Sequence, residues 1–409
     1  MDKAKFNDYA RLLARKGVNV EKGDTVWVYC GLDQPEFIVK VVEELYKGGA
    51  KAVEVFYSDP KIYKLSAKYQ TLSTMSKVSP IAIARYKYRK KVGVSTLFID
   101  SEDPDSMKGV NQAKIAKARM KSYPKIKPYR DAIDGKYKWC AGAVPGPAWA
   151  KKVFPGIPEE EAMEKLWDAI FLTSRVDGID AVGNWDKHNA NLIEKRTKLH
   201  DLDLVELHYE ASNGTNFTVG LIPGMLWGAG VEETQDKKKV FNPNIPSEEV
   251  FTSPMRGKAE GLLVASKPLS YMGELIEDFS IRFKDGKVCE VKARKGQKLL
   301  ETMVNMDEGA SMLGEVALIP YDSPIRESGV LFYNTLFDEN AACHVALGAG
   351  FRECYPNSEG MTTDELKEKG VNDSMIHVDF MIGTKDLSIV GTDSKGNKIQ
   401  IFKDGNWAF

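Results

Sequence analysis

Residues 375–384 read MIHVDFMIGT and place an imidazole and a carboxylate, His377 and Asp379, two positions apart in an otherwise apolar run. Side chains alternate faces along a strand, so these two point the same way, while Ile376, Val378, Phe380 and Ile382 fill the other side. Three more polar groups sit where packing gives little reason for them. His344 lies in FDENAACHVALGAGF (337–351), among small residues that leave room for something other than side chains. Glu315 interrupts the strand-like MLGEVALIP, where an unpaired buried carboxylate costs several kcal/mol or shifts its pKa. Glu249 lies in NIPSEEVFTSP, between Pro246 and Pro254. Two imidazoles and three carboxylates form a mixed nitrogen and oxygen donor set, which suits Zn²⁺, Co²⁺ or Mn²⁺. One ion takes three or four such groups. Five fit two divalent ions roughly 3.5–4 Å apart that share a carboxylate, hold a bridging water, lower its pKa and polarise a carbonyl.

Bland alternatives stand beside this reading. An H-x-D pair on a strand is also what a structural ion pair looks like, and His344 also fits a satisfied core histidine. No H-E-x-x-H is present, and the groups are spread from 249 to 379. The other histidines offer less. His188 and His200 fall in a polar helix-patterned stretch and are expected to be solvated, and His208, between Glu206 and Glu210, is expected on a surface strand.

The elements that must position these groups fall into two parts. Phe6, Tyr9, Ala10 and Leu13 share one face of an N-terminal helix. TVWVYC (25–30), QPEFIVKVVEELYKGG (34–49) and AVEVFY (52–57) then alternate strand, helix, strand, which predicts parallel pairing. GVSTLFID, a helix near 110–121 and KYKWCAGAV continue the alternation. Residues 1–150 therefore read as an α/β domain with a mainly parallel sheet. Its first strand–helix loop, GLDQPE, has no glycine pattern for nucleotide phosphates. The Pro- and Gly-rich stretch 145–160 reads as a linker, followed by helices at 159–174 and 184–200. From about 203 short strands and turns take over, with hairpin signals at 212–214 and 285–286 and a β-meander at the C-terminus. Residues 151–409 thus read as an α+β catalytic domain with a mostly antiparallel sheet.

At 409 residues, with 43% hydrophobic and 28% charged side chains, the chain has the composition of a two-domain globular protein. A formal net charge of −1 gives no electrostatic reason to expect nucleic acid or a membrane surface. No apolar run reaches the roughly 20 residues of a membrane helix. Five scattered cysteines without a C-x-x-C pair predict reduced thiols and a cytoplasmic location.

In order and spacing, NIPSEEVFTSP, MLGEVALIP, LFDENAACHVALGAG and MIHVDFMIGT resemble the metal-binding segments of the thermophilic-type metalloaminopeptidase family, that of the aminopeptidase T, aminopeptidase S and PepS enzymes. PGPAWAKKVFP, the NFTVGL strand and the terminal IFKDGNWAF also fit, so the likeness spans nearly the whole chain. The resemblance implies a homodimeric enzyme with two divalent metal ions that removes N-terminal residues from short peptides with a free N-terminus, with broad preference. It implies Glu249, Glu315, His344, His377 and Asp379 as metal ligands, Glu315 bridging, and Glu315 or Glu339 as general base toward the leaving amine. The start of a helix is also a comfortable structural place for Glu339. One position departs. Family members often carry a tyrosine seven residues after the histidine that matches His344, and here that position is Phe351. A hydroxyl there would stabilise the tetrahedral intermediate. Tyr355 would replace it if the segment were helical.

Overall fold

A computed structural model describes residues 1–101 and 103–409. The chain divides into two units, one made of Met1–Asn189 and Val231–Pro246, the other of Ala190–Gly230 and Ser247–Phe409.

In the first unit four parallel strands stand in the order Ala52–Tyr57, Thr25–Cys30, Val94–Asp100, Trp139–Ala143. Val26 and Val28 are wholly buried, as are Tyr9 on helix Lys3–Leu12 and Phe37 on helix Pro35–Lys47. Both helices carry their sequence punctuation: Asp2 accepts from the amides of Ala4 and Lys5, and Pro35 and Gly48 bound the second. The Tyr9 hydroxyl donates to the Ala143 carbonyl at 2.9 Å and so ties the first helix to the last strand.

The unit continues past residue 150. Residues 147–153 of the expected linker form a helix, with Pro147 in its first turn and Trp149 and Ala150 buried. The next helix, Glu159–Thr173, sets Trp167 5.7 Å from Phe6 and 5.5 Å from Phe37. An aromatic cluster of this size holds the helix in the first unit. Two helices not foreseen, Pro60–Tyr69 and Pro80–Val92, begin at Asp59 and Ser79 caps followed by proline. The helix near 110–121 runs on to Asp131 through Pro124 and Pro128.

The second unit is antiparallel, as its sequence pattern predicts. Leu204–Glu210 pairs with Asn216–Leu221, and Glu274–Lys284 with Lys287–Lys295 around Asp285–Gly286, where both residues have positive φ. A five-stranded sheet has the order His377–Met381, His344–Gly348, Leu313–Leu318, Val250–Thr252, Gly228–Ala229. One face of it, with Val250, Val316, Leu318, Val345, Leu347, Val378 and Phe380, belongs to the main core. The opposite face carries the chemistry. No described helix is long and apolar enough to cross a membrane.

Candidate metal centre

Strand register assembles the groups. Glu315 pairs with Ala346 and Ala346 with Asp379, so two carboxylates flank one methyl group across three strands. His344 is two residues from Ala346, and His377 two from Asp379; both share that face. Glu249 lies just before the strand in which Phe251 pairs with Ala317, the residue opposite His344. Ala317 and Ala346 are the small residues that keep the face open.

Glu315 owes its direction to a bulge. Leu313 and Glu315 are two apart and would share a face on a regular strand. The register shifts between them, Leu313 opposing Leu347 and Glu315 opposing Ala346. Gly314 absorbs the extra residue, so Leu313 stays in the core while Glu315 faces the site. A Cβ on Gly314 would stand 2.2 Å from the Ala349 carbonyl oxygen.

Two overlapping triads result. Ligand atoms of Glu249, Glu315 and His344 all lie within 4.8 Å of one another, and so do those of Glu315, His377 and Asp379. His344 Nε2 stands 3.3 Å from Glu249 Oε2 and 4.0 Å from both Glu315 Oε1 and Asp379 Oδ1. His377 Nε2 is 3.0 Å from Glu315 Oε2 and 3.3 Å from Asp379 Oδ1. Glu315 belongs to both groups, one oxygen turned to each histidine. The outer nitrogens are committed: His344 Nδ1–H donates to the Glu339 carbonyl at 2.9 Å, and His377 Nδ1–H to the Ala349 carbonyl at 2.7 Å. A carbonyl only accepts, so each Nδ1 keeps its proton and each Nε2 is turned toward the carboxylates, the orientation a metal-ligating imidazole needs.

Burial and charge act together. Burial, reinforced by the Glu249 and Asp379 carboxylates, pushes Glu315 up to about 7 against the pull of His377. Burial alone would lower His344; Glu249, Glu315 and Asp379 outweigh it and raise it to about 10. His377 is raised well above its ordinary value in the same way, by Asp379 and Glu315. Asp379, which burial would raise, is drawn down to about 2 by His377 and His344. Asp379 Oδ1 is nevertheless buried, its nearest donor, His377 Nε2 at 3.3 Å, lying outside hydrogen-bond geometry. An orphaned carboxylate oxygen facing two imidazoles and further carboxylates fits a cation.

Glu339 opens a 3₁₀ turn at the edge of this cluster. Burial and the Asp379 and Glu249 carboxylates push it well above its ordinary value. Its carboxylate accepts one long hydrogen bond, 3.4 Å from Asn340 Nδ2. Phe351 lies against the site, its ring 4.9 Å from that of His377 and 5.1 Å from Phe251. The helix that would bring Tyr355 onto the same face does not form. After Gly350 the chain makes only the three-residue turn Arg352–Cys354, so positions 351 and 355 share no helix face. Tyr355 packs on the main core, whereas Phe351 packs with Phe251, Ala317 and Cys354.

The other histidines lie elsewhere. His188, expected in solvent, is buried edge-on against Trp185. His200 accepts the Trp227 amide at 2.6 Å, and His208 bonds Thr218. The bulge at Gly314, Ala317 and the two carbonyls that aim the imidazoles had no readable signal; Ala346 was readable within a run of small residues.

The family model of the thermophilic metalloprotease (M29) matches residues 2–407. Aminopeptidase AmpS of Bacillus subtilis (strain 168) is 39% identical over 406 residues, covering 99% of this chain and 98% of that protein. Aminopeptidase T of Thermus aquaticus is 37% identical over 407 residues, 98% of each chain. The solved structure of wild-type AmpT from Thermus thermophilus superposes with a TM-score of 0.89 at 34% identity, covering 100% of both chains. With two overlapping ligand triads on one sheet face and a match along nearly its whole length, the chain belongs to the thermophilic metalloprotease (M29) family.

Proposed function

We propose that this chain is an aminopeptidase that holds two divalent ions, Zn²⁺, Co²⁺ or Mn²⁺, and removes the N-terminal residue of short peptides with broad preference. The observation that carries the reading is the pair of triads that share Glu315. Glu249, Glu315 and His344 would hold one ion; Glu315, His377 and Asp379 would hold the other. When bound, such a pair supplies a Lewis acid for the scissile carbonyl and a water of lowered pKa.

The chain's own residues do the rest. The Glu339 and Ala349 carbonyls fix the imidazole planes. Glu315 turns one oxygen to each histidine, so it would be the ligand the two ions share. Glu339 is the group we assign to proton transfer. It is buried beside the cluster and has no ion-pair partner among the described residues, and cations held by the neighbouring carboxylates would favour its ionised form, the form that can accept a proton. It takes the proton of the attacking water and hands it to the leaving amine. His377 is the open edge of the site, its side chain 28% exposed, and the peptide approaches there. The five cysteines are free, which supports a reducing, cytoplasmic setting.

A second reading, a catalytically weak or inactive metal- or peptide-binding protein on the same scaffold, rests on Phe351, an apolar ring where a hydroxyl would meet the intermediate. One experiment separates them: metal content by elemental analysis, with hydrolysis of a dipeptide panel on the same sample before and after chelation. About two metals per chain with chelator-sensitive release of N-terminal residues supports the enzyme. Metal without release leaves the second reading, and neither metal nor release sinks the metal centre on which the first reading rests.

A further inference from the structure

A cleft of about 550 Å³ in the second unit is lined by Lys267, Pro268, Tyr321, Arg326, Val330 and Leu331, with Asp322 and Glu327 also on its wall. Two cations meet in it. The Arg326 guanidinium lies over the Tyr321 ring, 3.8 Å from its centre, and donates to the Tyr321 hydroxyl. Its Nε is buried with no hydrogen-bond partner. The Lys267 ammonium is pushed down, first by burial and further by the nearby Arg326 charge, against the attraction of Asp338.

Neither cation has a carboxylate within ion-pair distance among the described residues. Asp338 is already committed, accepting the amides of Phe332 at 2.8 Å and Asn334 at 3.1 Å. Asp322 and Glu327 are exposed and pair with neither cation. Two like charges that repel in a half-desolvated cleft are a liability unless an anion bridges them. The two exposed acids lower the local positive charge, which favours a monoanion over a phosphate dianion. The remaining wall, Pro268, Val330 and Leu331, is apolar.

We propose that this cleft binds a carboxylate carried on an apolar body, the carboxylate accepting from the Arg326 guanidinium and Lys267 Nζ while the body lies on Pro268, Val330 and Leu331. Two sources carry that chemistry. One is the C-terminal carboxylate of a short peptide substrate, which rests on the aminopeptidase reading. The other is a free small carboxylate acting as an effector.

The test is calorimetric titration of the full-length, metal-loaded protein with 4-methylpentanoate and with its amide. The acid is expected to bind at least tenfold more tightly than the amide, and Lys267→Met and Arg326→Gln each to weaken it tenfold or more. Arg326→Lys should lose less than Arg326→Gln. His377→Ala should bind the acid as the wild type does, which separates the cleft from the metal cluster. Melting followed by circular dichroism identifies a variant that has simply failed to fold, and Lys267 and Arg326 are then judged by the other. Equal binding of acid and amide, no binding of the acid, or unchanged binding in both folded variants would overturn the proposal. A second arm names the source. If Arg326→Gln raises KM for a leucyl dipeptide but not for its C-terminal amide, the ligand is the substrate's own carboxylate. If neither KM moves while 4-methylpentanoate binding is lost, it is an effector. The titration needs no turnover, so failure of the aminopeptidase reading leaves it standing.

Discussion

Loading the cluster with metal should expel protons, and the number follows from the structure. A ligand must be unprotonated to coordinate, so every proton held by the metal-free cluster at the working pH has to leave. His344, raised to about 10, holds one proton at neutral pH. His377, raised well above its ordinary value, holds another. Glu315, at about 7, holds half of one at pH 7. Asp379, at about 2, holds none. The expected release is about two protons from the imidazoles at pH 7, with a further part from Glu315 that grows toward pH 6 and shrinks toward pH 8. The sign is fixed: raised pKa values favour protons over metal at low pH, so apparent affinity climbs with pH, more steeply below pH 7 than above it. Zinc titration by calorimetry in buffers of differing ionisation enthalpy reads the proton count directly. A release below about one proton at pH 7 would refute the reasoning, because the imidazoles would then be neutral despite the surrounding carboxylates.

Three other outcomes are expected. Glu315→Gln should empty both sites in elemental analysis, because Glu315 belongs to both triads, whereas His377→Ala should keep about one metal per chain in the Glu249, Glu315 and His344 triad. Phe351→Tyr should raise kcat on a dipeptide, by tenfold or more if the missing hydroxyl limits the reaction; an unchanged kcat would remove the case for a silent site. In the first unit, Lys138 is fully buried and bonded to Asp24 at 2.7 Å. Asp24→Ala should cost about 3 kcal/mol in urea unfolding at pH 7. Burial would raise Asp24, but Lys138, the Glu21 amide and Lys239 hold it below the usual carboxylate range. Its contribution is therefore present above the ordinary carboxylate pKa and lost as pH falls through the lowered one, so the gap between wild type and variant should close in acid.

Much of the centre was legible because its logic is local. Alternation alone put His377 and Asp379 on one face, and a run of small residues marked the surroundings of His344. What joins them is not local. The row Glu315, Ala346, Asp379 depends on strand pairing between segments about 30 residues apart, and no single segment encodes its neighbour's register. In the first unit, proline and glycine between 145 and 160 read as a linker, yet Pro147 starts a helix whose Trp149 is buried. His188 sits among polar residues in sequence but beside Trp185 in space, so composition predicted solvent where the fold supplies an indole. Tyr355 depended on a helix that the chain does not form.

The bulge at Gly314 makes the centre vulnerable to a change that touches no ligand. The Ala349 carbonyl, which would meet a side chain on residue 314 at 2.2 Å, is the same oxygen that receives the His377 Nδ1 proton at 2.7 Å. A single methyl group on residue 314 would act as a lever: the oxygen would have to retreat, the imidazole would lose its rest, and in the two-ion reading the second ion would be held by a ring free to turn. An alanine at 314 would look harmless in a comparison of ligand residues and still loosen half of the centre.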